Sequence, residues 1–278
     1  MFRDRIILWL RVVCFMVFAA YAWTSFNGNL HSRAYGETWH LVQGLILSVF
    51  AITSLLPLRF RKILLTLLVL GTLNLVWISW ANWLNSGRGI GQLLEHASQF
   101  FAPMFLFMAV RSDSGWSKET DGVVKRCIGL TFFCHGLFAY GFISHIWILH
   151  HQTPAHYVLL VQNCLGIENI IAAAKLLRSI GIVDFIVAIC IFFPYARVPA
   201  LIYMVLWGFI TALARPWAFF QVDSAISTLN RWIPEFLERT PHFLLPLLLL
   251  WIWWQKKDFT TAVSEGGKEQ SDVPGSSS

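Results

Sequence analysis

Asp184 stands between Val183 and Phe185 in the apolar run GIVDFIVAIC, and a carboxylate placed there needs a partner or a task. An ionisable side chain held in hydrocarbon costs about 2.5–3.5 kcal/mol or more on insertion scales. Two groups can meet it: His135, in TFFCHGLF, and Arg215, in ITALARPW. All three are expected in the outer half of a bilayer. Either Asp184 and Arg215 form an ion pair that pins helices together, or the trio lines a site where the carboxylate orients a neutral or cationic ligand group.

Glu95 and Glu238 make a second constellation. Glu95 is followed by His96 and Gln99, Glu238 by Arg239 and His242, and each Glu precedes a Phe–Pro pattern. The i,i+4 spacings Glu238–His242 and Glu95–Gln99 predict one helix face for each pair. The carboxylates then either complement the positive end of a helix or bind a ligand at the outer membrane face. Asp184, Arg215, His135, Glu95, Glu238 and His242 are thus the candidate ligand-binding residues, and none is identified as catalytic.

Other chemistry is poorly provided for. His145, His150, His151 and His156 fall in a loop-like HHQTPAH stretch without nearby carboxylates or an HxxxH helix, so no metal site is expected. The five Cys form no CxxC pair and sit mostly in apolar runs, which argues against a disulfide framework or structural zinc. Walker, GxGxxG, HExxH and nucleophile-elbow motifs are absent, and SGRGIGQ reads as a flexible outer loop. No cofactor signature is evident, and the chain is not expected to be an enzyme on its own.

The elements that must position these residues are membrane helices. Hydrophobic residues make up 56% and charged residues 13% of the chain, too few charges to cover a soluble domain of 278 residues. Apolar runs fall near 6–23, 39–56, 63–84, 100–110, 123–149, 180–193, 198–220 and 243–254. They predict an all-α polytopic membrane protein with about eight transmembrane helices. The short fourth and eighth runs reach span length by starting near Gln92 and Pro234. Residues 157–177 and 221–237 read as amphipathic helices along the outer interface. Fourteen Trp suit headgroup depth.

With the N-terminus cytoplasmic, thirteen Lys and Arg fall on the inner side against seven outside, which favours both termini inside. Arg11 and Arg126 can snorkel to the inner surface. The N-terminal run lacks a small-residue cleavage site and is read as a retained helix. The basic residues are too dispersed for nucleic acid, which leaves the lipid bilayer as the evident partner.

Internal similarity organises the chain. Leu94, Glu95, Phe100 and Pro103 align with Leu237, Glu238, Phe243 and Pro246; Gly44, Pro57 and Trp80 align with Gly181, Pro194 and Trp217. Two parallel four-helix repeats are expected, 1–115 and 116–258, followed by a disordered cytoplasmic tail at 259–278.

The segment KRCIGLTFFCHGLFAYGF, with Arg126, Gly129, Leu130, His135 and Gly136, resembles the first helix of the DoxX-like family of four-helix membrane proteins. GIVD at 181–184, FFPYARVP and ITALARPW resemble the family's next elements. The likeness covers about 125–255 well and 5–110 weakly. The basic residue that often follows the His-Gly is missing, the acidic position is Asp rather than Glu, and the first half has Leu47 where Asp184 sits. The resemblance implies an integral plasma (inner) membrane protein. It also implies a ligand-binding or partner subunit of a membrane redox or envelope-stress system, with a membrane or periplasmic redox partner and an outer-leaflet site for a quinone or lipid. A small-molecule or lipid transporter and a purely structural membrane partner are the alternatives. Transport would call for helix breaks at mid-membrane in both halves, and none is expected from the sequence.

Overall fold

The computed structural model describes residues 2–28, 37–86, 90–141 and 155–269, and among them all regular structure is helical. The long helices of the first part are α1 (Phe2–Phe26), α2 (Glu37–Ser54) and α3 (Arg61–Ser86). Three short ones follow: α4 (Gly91–Glu95), α5 (Ala97–Phe100) and α6 (Ala102–Arg111). The chain continues with α7 (Lys118–Tyr140), α8 (Ala155–Leu165), α9 (Ile170–Cys190) and α10 (Arg197–Ala218), and closes with α11 (Ala225–Glu238) and α12 (Pro241–Glu269).

Among the described residues, four helical stretches are long and apolar enough to cross a membrane: Phe2–Phe26, Leu58–Leu84, Lys118–Tyr140 and Arg197–Ala218. Their surroundings support lipid as the solvent. Leu41, Leu45, Val49 and Ile52 form an exposed stripe along α2, as do Ile202, Leu206, Phe209 and Leu213 on α10. Apolar stripes at helical spacing on the outside of a bundle leave no face for water.

Local chemistry sets the helix ends. Ser117 caps α7 by accepting from the Thr120 N–H at 3.0 Å, with Glu119 and Asp121 in the first turn. Gly141 ends α7 at φ 107°, a conformation that favours glycine. Asn169 caps α9 by accepting from Ile171 N at 2.9 Å and Ala172 N at 3.2 Å.

The packing has a recurring order. α1 lies along α2, and α7 lies along α9. α3 packs on α6, and α10 packs on α12. Two elements cross over: α4 packs on α7, and α11 packs on α1. One apolar core draws on both sides of this arrangement, from Leu10 and Phe18 to Phe105, Ile128, Leu201 and Leu248. Glycine permits the closest approach. A Cβ on Gly136 would lie 2.8 Å from the Gly181 carbonyl oxygen, so α7 and α9 touch backbone to backbone.

Several expectations need correction. Residues 157–177 are not one interfacial helix: α8 ends at Leu165, and 170–177 is the first part of α9 behind its Asn169 cap. The run starting near Gln92 is broken at His96 and Phe101, and the run starting near Pro234 is broken at Arg239–Thr240. Helix α12 continues to Glu269, into the stretch expected to be disordered. Residues 270–278, His145, His150, His151 and the loop glycines Gly87 and Gly89 lie outside the described residues.

Candidate functional site

Helix α10 carries Tyr203, Trp207, Thr211 and Arg215 four residues apart, so one face presents a polar and aromatic ladder. That face forms one wall of a cavity of about 500 Å³, completed by α7, α8 and α9. The walls are largely apolar, with Phe138, Leu160, Val161, Leu177, Ile180 and Ile210 among them. His135, Asp184 and Arg215 all line it. The three residues singled out in the sequence therefore meet in one space.

They do not meet as expected. Asp184, 1% exposed, accepts a hydrogen bond from the Tyr203 hydroxyl at 2.8 Å. Arg215 instead pairs with Glu235 of α11, Nε to Oε2 at 2.8 Å. The Asp184–Arg215 clamp is thus replaced by two separate contacts, for a reason of helix register. Arg215 lies twelve residues beyond Tyr203, which at 1.5 Å per residue sets it about 18 Å further along α10. The cavity carries a carboxylate towards one end and a guanidinium towards the other.

Beside the cavity lies a polar chamber built at the chain breaks. Glu95 ends α4 and Glu238 ends α11, so the i,i+4 pairs Glu95–Gln99 and Glu238–His242 straddle breaks and share no continuous helix. The carboxylates also close helix C-termini, opposite to the expected N-terminal placement. The residues at the two breaks have nearly the same backbone, φ −90° and ψ 7° at His96, φ −88° and ψ 0° at Arg239.

Helix α10 gives a scale for depth. Its 22 residues rise about 33 Å, close to the hydrocarbon thickness of a bilayer. Gly208, midway along it, faces the α12 backbone, where a Cβ would lie 2.7 Å from the His242 carbonyl oxygen. His242 therefore packs against the middle of α10, with the Arg239–Thr240 break just before it. In α4 and α5 the Ser98 N–H donates to Thr131 Oγ1 of α7 at 3.2 Å, which sets the His96 break level with His135. Chain breaks beside buried polar groups are thus present in both parts of the chain.

Most of the chamber is closed off. Glu95, Gln99, Arg239 and His242 are each 5% exposed or less. Glu95 Oε1 meets His96 Nε2 at 3.3 Å, His96 Nδ1 is bonded to Gln99 Oε1, and the Tyr21 hydroxyl of α1 reaches that oxygen at 3.5 Å. The His135 and His242 rings meet edge-on with centroids 5.2 Å apart. His135 is thus shared by the chamber and the cavity. Among the described residues, Glu95 Oε2, Gln99 Nε2, Ser98 Oγ, His135 Nε2, Arg239 Nε and His242 Nε2 have no hydrogen-bond partner. No group of three or more His, Cys, Asp and Glu suited to a metal occurs among the described residues.

Tyr203 and Glu235 were not singled out in the sequence. The four-residue ladder on α10 was the signal for Tyr203. Glu235, one turn before Glu238, looked like an ordinary interfacial charge. Searches of family models, curated proteins and solved structures return no significant match to this chain.

Proposed function

We propose that the chain is an integral membrane protein that binds a lipophilic ligand with a hydrogen-bonding head, a quinone or a lipid, in the α7–α10 cavity. The observation that carries this reading is the cavity itself. Its volume of about 500 Å³ falls in the range of small-molecule sites, and its walls are apolar with a few convergent polar groups. Such a site suits a ligand whose body matches Phe138, Leu160 and Ile210 and whose head meets His135, Asp184 or Arg215.

The wider reading places the chain near the DoxX-like proteins as two parallel four-helix repeats. It makes eight crossings of the plasma (inner) membrane, with both termini cytoplasmic. The matching order of packed helices and the twin breaks at His96 and Arg239 support that arrangement. In this reading the protein is a binding or partner subunit of a membrane redox or envelope-stress system, and a separate redox partner supplies electrons.

The test is chemical. The protein is purified in mild detergent, extracted with organic solvent and analysed by mass spectrometry. Wild type is expected to carry a quinone or a defined lipid in stoichiometric amount. Thr211→Trp, which fills the cavity, is expected to lose it while melting at a similar temperature. Equal occupancy in the two proteins, or only bulk membrane lipid in both, rejects the cavity as the site.

A transport reading has one observation in its favour: the chain breaks beside buried ionisable groups, a feature of many transporters when they fall at mid-membrane. Uptake of a lipophilic cation into proteoliposomes, abolished by Glu95→Gln, would favour it over a binding subunit.

A further inference from the structure

The chamber between the two parts of the chain holds more charge than its partners neutralise. Arg215 and Glu235 neutralise one another across their 2.8 Å contact. Glu95, Glu238 and Arg239 remain, two carboxylates and one guanidinium, with electrostatic influence on one another and on the nearby histidines. With both carboxylates ionised and the histidines neutral, one negative charge is left over; His96, whose two ring nitrogens face oxygens of Glu95 and Gln99, is placed to hold the proton that cancels it. Left uncancelled among these buried groups, such an excess is costly.

Three imidazoles, His96, His135 and His242, adjoin that charge, and imidazole is the side chain that takes up a proton near neutral pH. Unpartnered atoms are ready for it: Glu95 Oε2 as an acceptor, His135 Nε2 and His242 Nε2 as either donor or acceptor. Every packed element contributes to the environment. Tyr21 comes from α1, Tyr157 from α8, Arg215 from α10, and Glu235, Glu238 and Arg239 from α11. Asp184 of α9 faces the same cavity as His135 and is bonded to Tyr203.

We propose that the chamber formed by Glu95, His96, His135 and His242 is a binding site for one exchangeable proton, coupled through His135 to occupancy of the cavity. The step is a simple uptake: one H⁺ leaves water and forms an N–H or O–H bond in the chamber, and no electrons move. With the proton held in the chamber, His135 presents an N–H to a carbonyl head in the cavity, so ligand binding and proton binding favour each other reciprocally. The coupling, but not the proton site, rests on the cavity reading above.

Two measurements separate the two. Isothermal titration calorimetry of full-length protein with decylubiquinone, in buffers of different ionisation enthalpy, counts protons. About one proton is expected to be taken up per ligand, with Kd weakening about tenfold per pH unit on the alkaline side. Glu95→Gln is expected to flatten this dependence. A count of zero in wild type, an unchanged slope in Glu95→Gln, or dependence on sodium in place of pH overturns the coupling. If decylubiquinone does not bind, the quinone reading of the cavity fails, and the proton site is judged on ligand-free protein. There, pH-difference infrared spectra should show an imidazolium or carboxylic-acid signal that is lost in both Glu95→Gln and His242→Gln. Its presence in those variants, or its absence in wild type, overturns the site.

Discussion

The first and second parts of the chain run through the same succession of packed helices, and the α7–α10 cavity lies in the second. Where α9 has Asp184, α2 has Leu47, which is fully buried. In the first part Phe18 is buried between α1, α2 and α3. Its ring lies 5.4 Å from that of Phe50 and covers Gly71. The difference teaches that one helical scaffold can be closed with aromatic side chains in one place and left open around a few polar groups in another. On this comparison the first part is a packing partner and the second carries the site.

The comparison breaks most sharply if the aligned residues are exchanged. Leu47→Asp puts a carboxylate into a filled apolar core and is expected to cost at least about 2.5–3.5 kcal/mol, read as a large drop in Tm in detergent. Asp184→Leu is expected to leave Tm within a few degrees or raise it, because it removes a buried carboxylate from beside an open cavity, while ligand is lost from the purified protein. If Asp184→Leu melts as early as Leu47→Asp, Asp184 is a structural hydrogen-bonding post for Tyr203, and the functional contrast between the two parts disappears.

A second contrast concerns the aligned glycines Gly44 and Gly181. A Cβ on Gly181 would lie 2.8 Å from the Gly136 carbonyl oxygen and 2.9 Å from the Tyr140 backbone nitrogen. For a Cβ on Gly44 the nearest atoms are those of the Phe26 ring, from 2.6 Å. Backbone in a packed helix pair cannot withdraw, whereas a ring near a helix end can turn aside. Gly181→Ala is therefore expected to cost about 1–3 kcal/mol and Gly44→Ala less than about 1 kcal/mol, compared by thermal unfolding in one detergent. Equal losses would mean that the α1–α2 contact is as rigid as the α7–α9 contact.

How much of this was legible beforehand depends on which physical signal each feature leaves. The helical membrane class follows from apolar runs and scarce charge, a signal spread over the whole chain. His135, Asp184 and Arg215 were legible as a group because ionisable residues are rare in such runs, and they do line one cavity. Their pairing was not legible: whether Arg215 reaches Asp184 or Glu235 depends on helix register, and α9 begins some ten residues before the apolar run that marked it. The first chain break was hidden as well. No proline or glycine stands at His96 to announce a stop, whereas Pro241, two residues past Arg239, marks the second break, although proline is also compatible with a first helical turn. The aligned Glu95 and Glu238 marked both places, though for a different reason from the one inferred.

The smallest contrast lies in the N-terminal halves of α1 and α7, where Arg11 and Arg126 occupy comparable places and both were expected to reach for the surface. They differ in their partners. Arg11 Nη2 donates to the carbonyl of Leu56, two residues beyond the end of α2, at 2.5 Å, so it satisfies a backbone oxygen of the turn into α3. Arg126 is exposed. Arg11→Gln is expected to cost about 1 kcal/mol, because the carbonyl loses a charged donor in a half-buried place. Arg126→Gln is expected to stay within about 0.5 kcal/mol of wild type. Thermal melts of the two variants side by side decide it. Equal behaviour would show that Arg11 serves only the surface, as Arg126 does, and that the turn between α2 and α3 holds without it.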